Sequence, residues 1–280
     1  MRKITLFTLL FLSFGFILAT NGGCISAALN AISAKKVFPR ESFVFVHKKT
    51  TFFQCAENQC KIVFKGRMTG SASAIHHKGK NTYLMTAAHM IWMQPISLFR
   101  KFMLERKGKL KAVSSYTFTD FKGKKYKLKK VIKSDKKTDL AIVAIARANI
   151  PTLPLSHQAP EVKDKLFNIA APHGVFEKGL VLFFEGRFMG YSNSIKWTGQ
   201  KIKIALTNIP VAGGSSGSPI LNRSGEIVGM VSAVHTRFHH ISLSPTHKQI
   251  YDFFHKYLHE HGFGYCALPV EKDYNRIRQD

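Results

Sequence analysis

Acidic side chains are scarce: 16 Asp and Glu stand against 42 Lys and Arg in 280 residues, a formal net charge of +26. Such a field favours acidic surfaces, whether anionic lipid, cell-wall polymer, nucleic acid or acidic protein. No nucleic-acid-binding module is recognisable, which excludes specific readout and leaves only nonspecific association through charge. Cysteine is also rare, with 4 in the chain, and none of its spacings resembles a zinc site. His255 and His259 stand one helical turn apart, but the pair reads as a solvated helix face, so neither metal nor cofactor is expected. Helical periodicity is missing until Pro245-Thr246, which excludes a helical architecture for most of the chain. No internal repeat is present. The one long apolar run, Ile4 to Thr20, is short for a bilayer span of ~20 residues.

That run follows Arg2-Lys3 and precedes small residues from Gly22 to Ala28, the pattern of a secretory signal peptide cut near Ser26 to Ala28. A secreted or periplasmic protein is expected. Lipoprotein anchoring at Cys24 is not, because Asn21-Gly22-Gly23 lacks an apolar residue before the cysteine. Export permits disulfides. Cys55 and Cys60 flank Ala-Glu-Asn-Gln between two apolar, strand-like stretches, where a bridge across a hairpin is geometrically easy. A Cys55–Cys60 disulfide is therefore expected, two reduced, half-buried thiols being the alternative. Cys266 lacks a partner if Cys24 departs with the leader.

What is present is a run of short, β-rich segments separated by turn residues, with Leu140 to Ile145 closing a first set and Ile227 to Ala233 ending a second. Pro151, Pro154 and Pro160 mark a connection between the sets. Behind Thr246, the residues Ile250, Phe253, Phe254, Tyr257 and Leu258 fall on one face of a terminal helix. A dense lysine run from Lys122 to Lys137 alternates with Tyr126, Leu128, Val131 and Ile132, as on the solvent face of a hairpin.

Gly213-Gly214-Ser215-Ser216-Gly217-Ser218-Pro219 carries the chemistry. A serine hydroxyl attacks well only when a base removes its proton and donors receive the resulting negative charge. Glycines around Ser216 permit a sharp turn that brings the N–H groups of Gly214 and Ser216 to one point, an oxyanion hole. His89, at the end of strand-like Tyr83-Leu84-Met85-Thr86, is the candidate base, and Asp139, opening an apolar run, is the candidate orienter of its imidazole.

The order His, Asp, Ser and the segments Thr86-Ala87-Ala88-His89, Asp139-Leu140-Ala141 and Gly214 to Pro219 resemble the signatures of trypsin-like serine peptidases. Within these, the chain is most similar to the bacterial high-temperature-requirement (Deg) and glutamyl-endopeptidase branches. Ala171-Pro172-His173-Gly174 resembles the opening of the second Deg barrel, and Gly225 to Met230 the strand after the nucleophile, so the likeness covers most of residues 45–260. It implies an all-β fold of two antiparallel β-barrels of the chymotrypsin type with a C-terminal α-helix. Residues 1–27 are then the signal peptide and 28–40 an N-terminal segment. The first barrel spans 41–150, the connection 151–161 and the second barrel 162–245, leaving 246–280 as helix and tail. Little chain follows the helix, so a C-terminal PDZ domain is not expected.

The implied activity is an exported serine endopeptidase acting on polypeptides through a His89–Asp139–Ser216 triad and an acyl-enzyme. The rival reading is a basic binding protein on a peptidase scaffold that has lost turnover. Ser232 resembles the family serine that supports the aspartate, a partly buried strand hydroxyl being its plain alternative. Ser215 stands where trypsin-type zymogens carry an activating aspartate, so that salt bridge is not expected. The pocket residues would be Pro210, Val211, Val231, Ser232, Ala233 and Val234. Pro210 sits where an acidic residue would receive a basic side chain, and Val231 where glutamyl endopeptidases carry a histidine. Cleavage after small or medium apolar residues is therefore expected.

Overall fold

The computed structural model describes residues 39–260 except 57–58, 107, 194–195, 198–199, 236–237 and 239. The segment read as a signal peptide, Cys24 and Cys266 lie outside the described residues, as do the side chains of Leu258 and His259.

The first sheet contains β1 (Phe43–Ala56), β2 (Gln59–Lys78), β3 (Asn81–Ala87), β4 (Lys109–Asp120), β5 (Lys125–Lys127), β6 (Lys130–Asp135) and β7 (Leu140–Ala146). The second contains β8 (Lys165–Ala170) and β9 (Leu182–Ser192). After a small hairpin of β10 (Lys196–Trp197) and β11 (Gln200–Lys201), it adds β12 (Ile204–Thr207), β13 (Pro219–Leu221), β14 (Ile227–Met230), β15 (Ala233–Val234) and β16 (Ser242–Pro245). Each sheet has seven strands, in the orders β5-β4-β1-β2-β3-β7-β6 and β14-β13-β8-β9-β12-β16-β15. Every pairing within them is antiparallel. This is the expected two-sheet, chymotrypsin-type architecture, with ladders that stay open instead of closing into barrels. The edge strands β5 and β6 are short and lysine-rich, which blunts them as templates for further pairing.

Periodicity explains which strands lie inside. β7 reads Leu-Ala-Ile-Val-Ala-Ile and is buried throughout that run, as befits a strand covered on both faces. In β1 the buried and half-exposed positions alternate, so one face meets the core and the other does not. β1 and β2 run on for 14 and 20 residues, far longer than the short β-rich segments expected from the sequence. Lys48-Lys49-Thr50-Thr51 interrupts the apolar pattern of β1, but cross-strand pairing on both sides carries the ladder through it. At the far end Cys55 and Cys60 are cross-strand partners joined in a disulfide.

Two helices were not expected: α1 (His89–Trp92) and α2 (Leu98–Glu105). Both are too short to show a periodic signal, and α2 begins where the Ser97 hydroxyl accepts the Arg100 N–H at 3.2 Å. The terminal helix α3 (His247–Glu260) was expected. Thr246 and Gln249 cap it reciprocally, through Gln249 N–H to Thr246 Oγ1 at 3.2 Å and Thr246 N–H to Gln249 Oε1 at 2.8 Å. Ile250, Phe253, Phe254 and Tyr257 form its buried face. The connection at 151–161 ties the sheets together: Leu153 N–H donates to Ala74 O, and Ser156 N–H to Ile227 O, at 2.8 and 2.9 Å.

Candidate active site

β3 ends at Ala87, and the next two residues turn onto the start of β7. Ala88 N–H donates to Asp139 O at 2.9 Å, and His89 N–H to Asp139 Oδ1 at 2.7 Å. His89 Nδ1 lies 2.8 Å from Asp139 Oδ2. An ionised carboxylate only accepts, so Nδ1 carries a proton, and in the neutral ring the lone pair is then on Nε2. Asp139 adopts φ 59°, in the left-handed region that Asp tolerates better than most residues. Its side chain is 2% exposed against 19% for His89, so the imidazole stands between a buried acid and solvent. From β14's end, Ser232 Oγ also donates to Asp139 Oδ2. With no lysine or arginine paired to it among the described residues, the buried carboxylate is held by three hydrogen bonds.

The Ser216 turn is held peptide by peptide. Gly213 O accepts from His173 N–H at 2.5 Å, and Ser215 O from Ser218 N–H at 3.0 Å. Gly214 O accepts from Ser71 Oγ at 2.9 Å, while Ser216 O accepts from Ser71 N–H at 2.7 Å. In a trans peptide the N–H points opposite its carbonyl. The Gly214 and Ser216 N–H groups are therefore aimed away from the held carbonyls of Gly213 and Ser215. Neither donates to a protein acceptor among the described residues. Two glycines are required here. Gly214 and Gly217 have φ 102° and 89°, and a Cβ on either would collide with a backbone oxygen, of Ala171 and Ser71 respectively.

The structure joins His89, Asp139 and Ser232 directly. It brings the Ser216 turn alongside through β2, because Ser71 is hydrogen-bonded to the turn and its own carbonyl accepts Thr86 Oγ1 at 2.8 Å. The Ser216 hydroxyl, half exposed, makes no hydrogen bond to a described residue, His89 included. In peptidase sites free of substrate such contacts are often long and tighten on binding. Ser218, where the resembled family more often has glycine, is buried, and its hydroxyl accepts from Asn168 Nδ2 at 2.8 Å.

Among the residues proposed for the pocket, Pro210 is exposed, while Val211 and Val231 are buried together in the apolar cluster of the second sheet. Val234 packs against that cluster, and Ala233 against a different one around Ile202, Ile204 and Leu243. Strand alternation thus sends Ala233 and Val234 to opposite sides. Among the described residues no group of three His, Cys, Asp or Glu is placed to hold a metal ion.

Three contributors went unnoticed in the sequence. Ser71 and His173 clamp the Ser216 turn, and His173 does so with φ 54°. Lys48 is the third. It is fully buried, donating to Ile91 O at 2.9 Å and Met93 O at 2.6 Å at the end of the helix that carries His89. Burial lowers its pKa from 10.5 to about 8. The alternation Val44, Val46, Lys48, Thr50, Phe52 in β1 was the available signal for Lys48.

Residues 70–230 match the trypsin-like peptidase domain. A probable periplasmic serine endoprotease, DegP-like, of Hahella chejuensis is 30% identical over 112 residues, covering 39% of this chain. The chain spans 22% of that relative's length. Among solved structures, the active form of the Rv3671c protease of M. tuberculosis aligns with TM-score 0.54 and 15% identity, covering 85% of this chain and 86% of that one. The HtrA-type protease AlgW, solved with a decapeptide, gives 0.58 and 17%, covering 84% and 67%. The serine endoprotease of Yersinia pestis gives 0.54 and 17%, covering 80% of this chain and 65% of its own length. At these identities the structures establish the likeness of fold.

Proposed function

This chain belongs to the trypsin-like peptidase domain family, and on that premise we propose that it is a serine endopeptidase with Ser216 as nucleophile, His89 as base and Asp139 as orienter. The observation that carries the reading is the double hydrogen bond from His89 to Asp139, through its backbone N–H and its Nδ1–H. Both fix the ring with Nε2 available. His89 takes the Ser216 proton as the oxygen attacks a peptide carbonyl, and returns it to the leaving amine. Water then repeats the sequence on the acyl-enzyme. Asp139 stabilises the imidazolium formed at each attack, and Ser232 holds the carboxylate in place. The Gly214 and Ser216 N–H groups receive the oxyanion, each such donor being worth about 2.7–4 kcal/mol.

The substrates are polypeptides, cleaved after small or medium apolar residues in a pocket whose wall includes the half-buried Val234, with Val211 and Val231 packed behind it in the core. Residues 1–27 act as an export signal, in keeping with the periplasmic description of the Hahella chejuensis relative. The test is hydrolysis of an unfolded protein by the wild type and by Ser216→Ala and His89→Ala. Each variant should lose turnover while keeping the wild-type unfolding midpoint. Turnover retained by Ser216→Ala would overturn the assignment.

A further inference from the structure

The outer face of the β4-β1-β2 ribbon is a cationic surface whose distal half is left exposed by the described residues. Register gives its layout. Lys49 of β1 stands between Arg67 and Ser115, Thr51 between Lys65 and Val113, and Phe53 between Ile62 and Lys111. Directly opposed residues share a face of an antiparallel ladder. The other face is occupied by the segment carrying α1 and α2: Lys48 and Tyr116 donate to Ile91 O, and Gln54 Nε2 to Leu104 O. Near the start of β1, Phe176 stacks on Phe45 at 5.3 Å and covers that end. Beyond it, Lys49, Lys65, Arg67 and Lys111 are all exposed.

Among the described residues no carboxylate is paired with these charges. The one acid on the three strands, Asp120, is buried and engaged by Tyr126 OH and Lys124 N–H. Among the described residues none of the four cations belongs to an ion pair. Their field reaches His47 on the same face, whose pKa is lowered by burial and then by the Lys49 and Arg67 charges. Apolar side chains are interleaved with them. Ile62 is 54% exposed and Val113 62%, next to Phe53 at the disulfide-tied end of the ribbon.

We propose that this face docks the protein on anionic lipid bilayers, with Lys49, Lys65, Arg67 and Lys111 at the headgroups and Phe53, Ile62 and Val113 entering the interface. A soluble polyanion would satisfy the charges but leave the exposed apolar groups in water, whereas a bilayer surface accommodates both on one face of the ribbon. The role is separate from peptide cleavage, because these residues are not among those of the nucleophile turn or its triad.

Co-sedimentation of the full chain with vesicles tests it, comparing phosphatidylcholine alone with phosphatidylcholine mixed with phosphatidylglycerol. The wild type should bind the anionic vesicles preferentially and release as salt is raised. The Lys49→Glu, Lys65→Glu, Arg67→Glu triple variant should bind them roughly a hundredfold more weakly, from removal of three interfacial cations. Its unfolding midpoint should stay near that of the wild type. Ile62→Asn with Val113→Asn should abolish whatever binding survives high salt. Any contribution from the apolar N-terminal residues would be common to all variants. A matched reversal on the second sheet and its neighbouring loops (Lys178→Glu, Lys203→Glu, Arg223→Glu) should weaken binding far less than the face variant. The proposal is overturned if anionic vesicles are ignored, if the face variant binds like the wild type, or if the control loses as much. Binding of single-stranded DNA through this face while vesicles are ignored would equally overturn it, pointing to nucleic acid instead.

Discussion

Replacing Ser71 with alanine isolates one hydrogen bond between the two halves of the site. The Ser71 hydroxyl is fully buried and donates to Gly214 O at 2.9 Å, while its backbone N–H donates to Ser216 O at 2.7 Å. Alanine keeps the second contact and deletes the first. The Gly214 carbonyl then lacks this donor in a buried place, which costs about 1–3 kcal/mol of stability. The consequence for rate follows from geometry. The Gly214 N–H and C=O share one Cα, and φ 102° is maintained there by contacts on both sides. Releasing the carbonyl lets the turn rock and misdirects the Gly214 N–H without removing it. Outright loss of an oxyanion donor costs about 10²–10³ in kcat, so a misdirected one should cost roughly ten- to a hundredfold. KM should move little, because the donor acts on charge present only in the transition state. Urea unfolding and steady-state kinetics on one peptide substrate measure both quantities. A full loss of stability with unchanged kcat would show that the clamp supports the fold alone and would refute the link to the oxyanion hole.

Other perturbations separate the remaining parts. Lys48 is protonated more readily unfolded than folded, with its folded pKa near 8 against 10.5 in the free side chain. The unfolded state thus binds more protons between these values, and stability rises with pH across that window. Relative to Lys48→Met, the wild type should gain up to about 3 kcal/mol between neutral pH and above 10.5, read from urea titrations; a difference independent of pH would contradict it. Ser232→Ala removes one of the three hydrogen bonds to Asp139 and should cost kcat about tenfold, against about 10⁴ for Asp139→Asn, which favours the wrong imidazole tautomer. Equal losses would mean that Ser232 does more than support the carboxylate. Profiling against a peptide library should give cleavage after Val, Ala, Leu or Thr, and dominant cleavage after Arg or Glu would overturn the apolar pocket with Val234 at its wall.

The sequence spoke most clearly where function constrains several neighbours at once. Gly214, Ser216 and Gly217 are legible together because the turn needs positive φ and close backbone approach on both sides of the serine. His89 and Asp139 are legible because each ends or begins a strand that declares itself by apolar pattern. The Cys55–Cys60 bridge is expected from the two strand-like flanks, and the cross-strand register that joins them bears it out. Ser71 and His173 stayed hidden because their contributions are made through backbone groups and one hydroxyl, which side-chain pattern does not report, even though His173 lies in a recognisable segment. Lys48 and Lys49 are adjacent and chemically alike, so composition does not distinguish them. Strand alternation sends one inward to two helix-end carbonyls and the other outward to solvent. The helices α1 and α2 were missed because a few residues do not establish a 3.6-residue period.

Labelling with a fluorophosphonate probe measures the central claim directly, since only a serine activated by a base and facing an oxyanion hole reacts rapidly. The account predicts one adduct per folded chain, located on Ser216 by peptide mass analysis, absent in Ser216→Ala and formed far more slowly in His89→Ala. A folded wild-type protein that takes up no probe, or an adduct that persists in Ser216→Ala, would contradict it and favour a basic binding protein built on a peptidase scaffold.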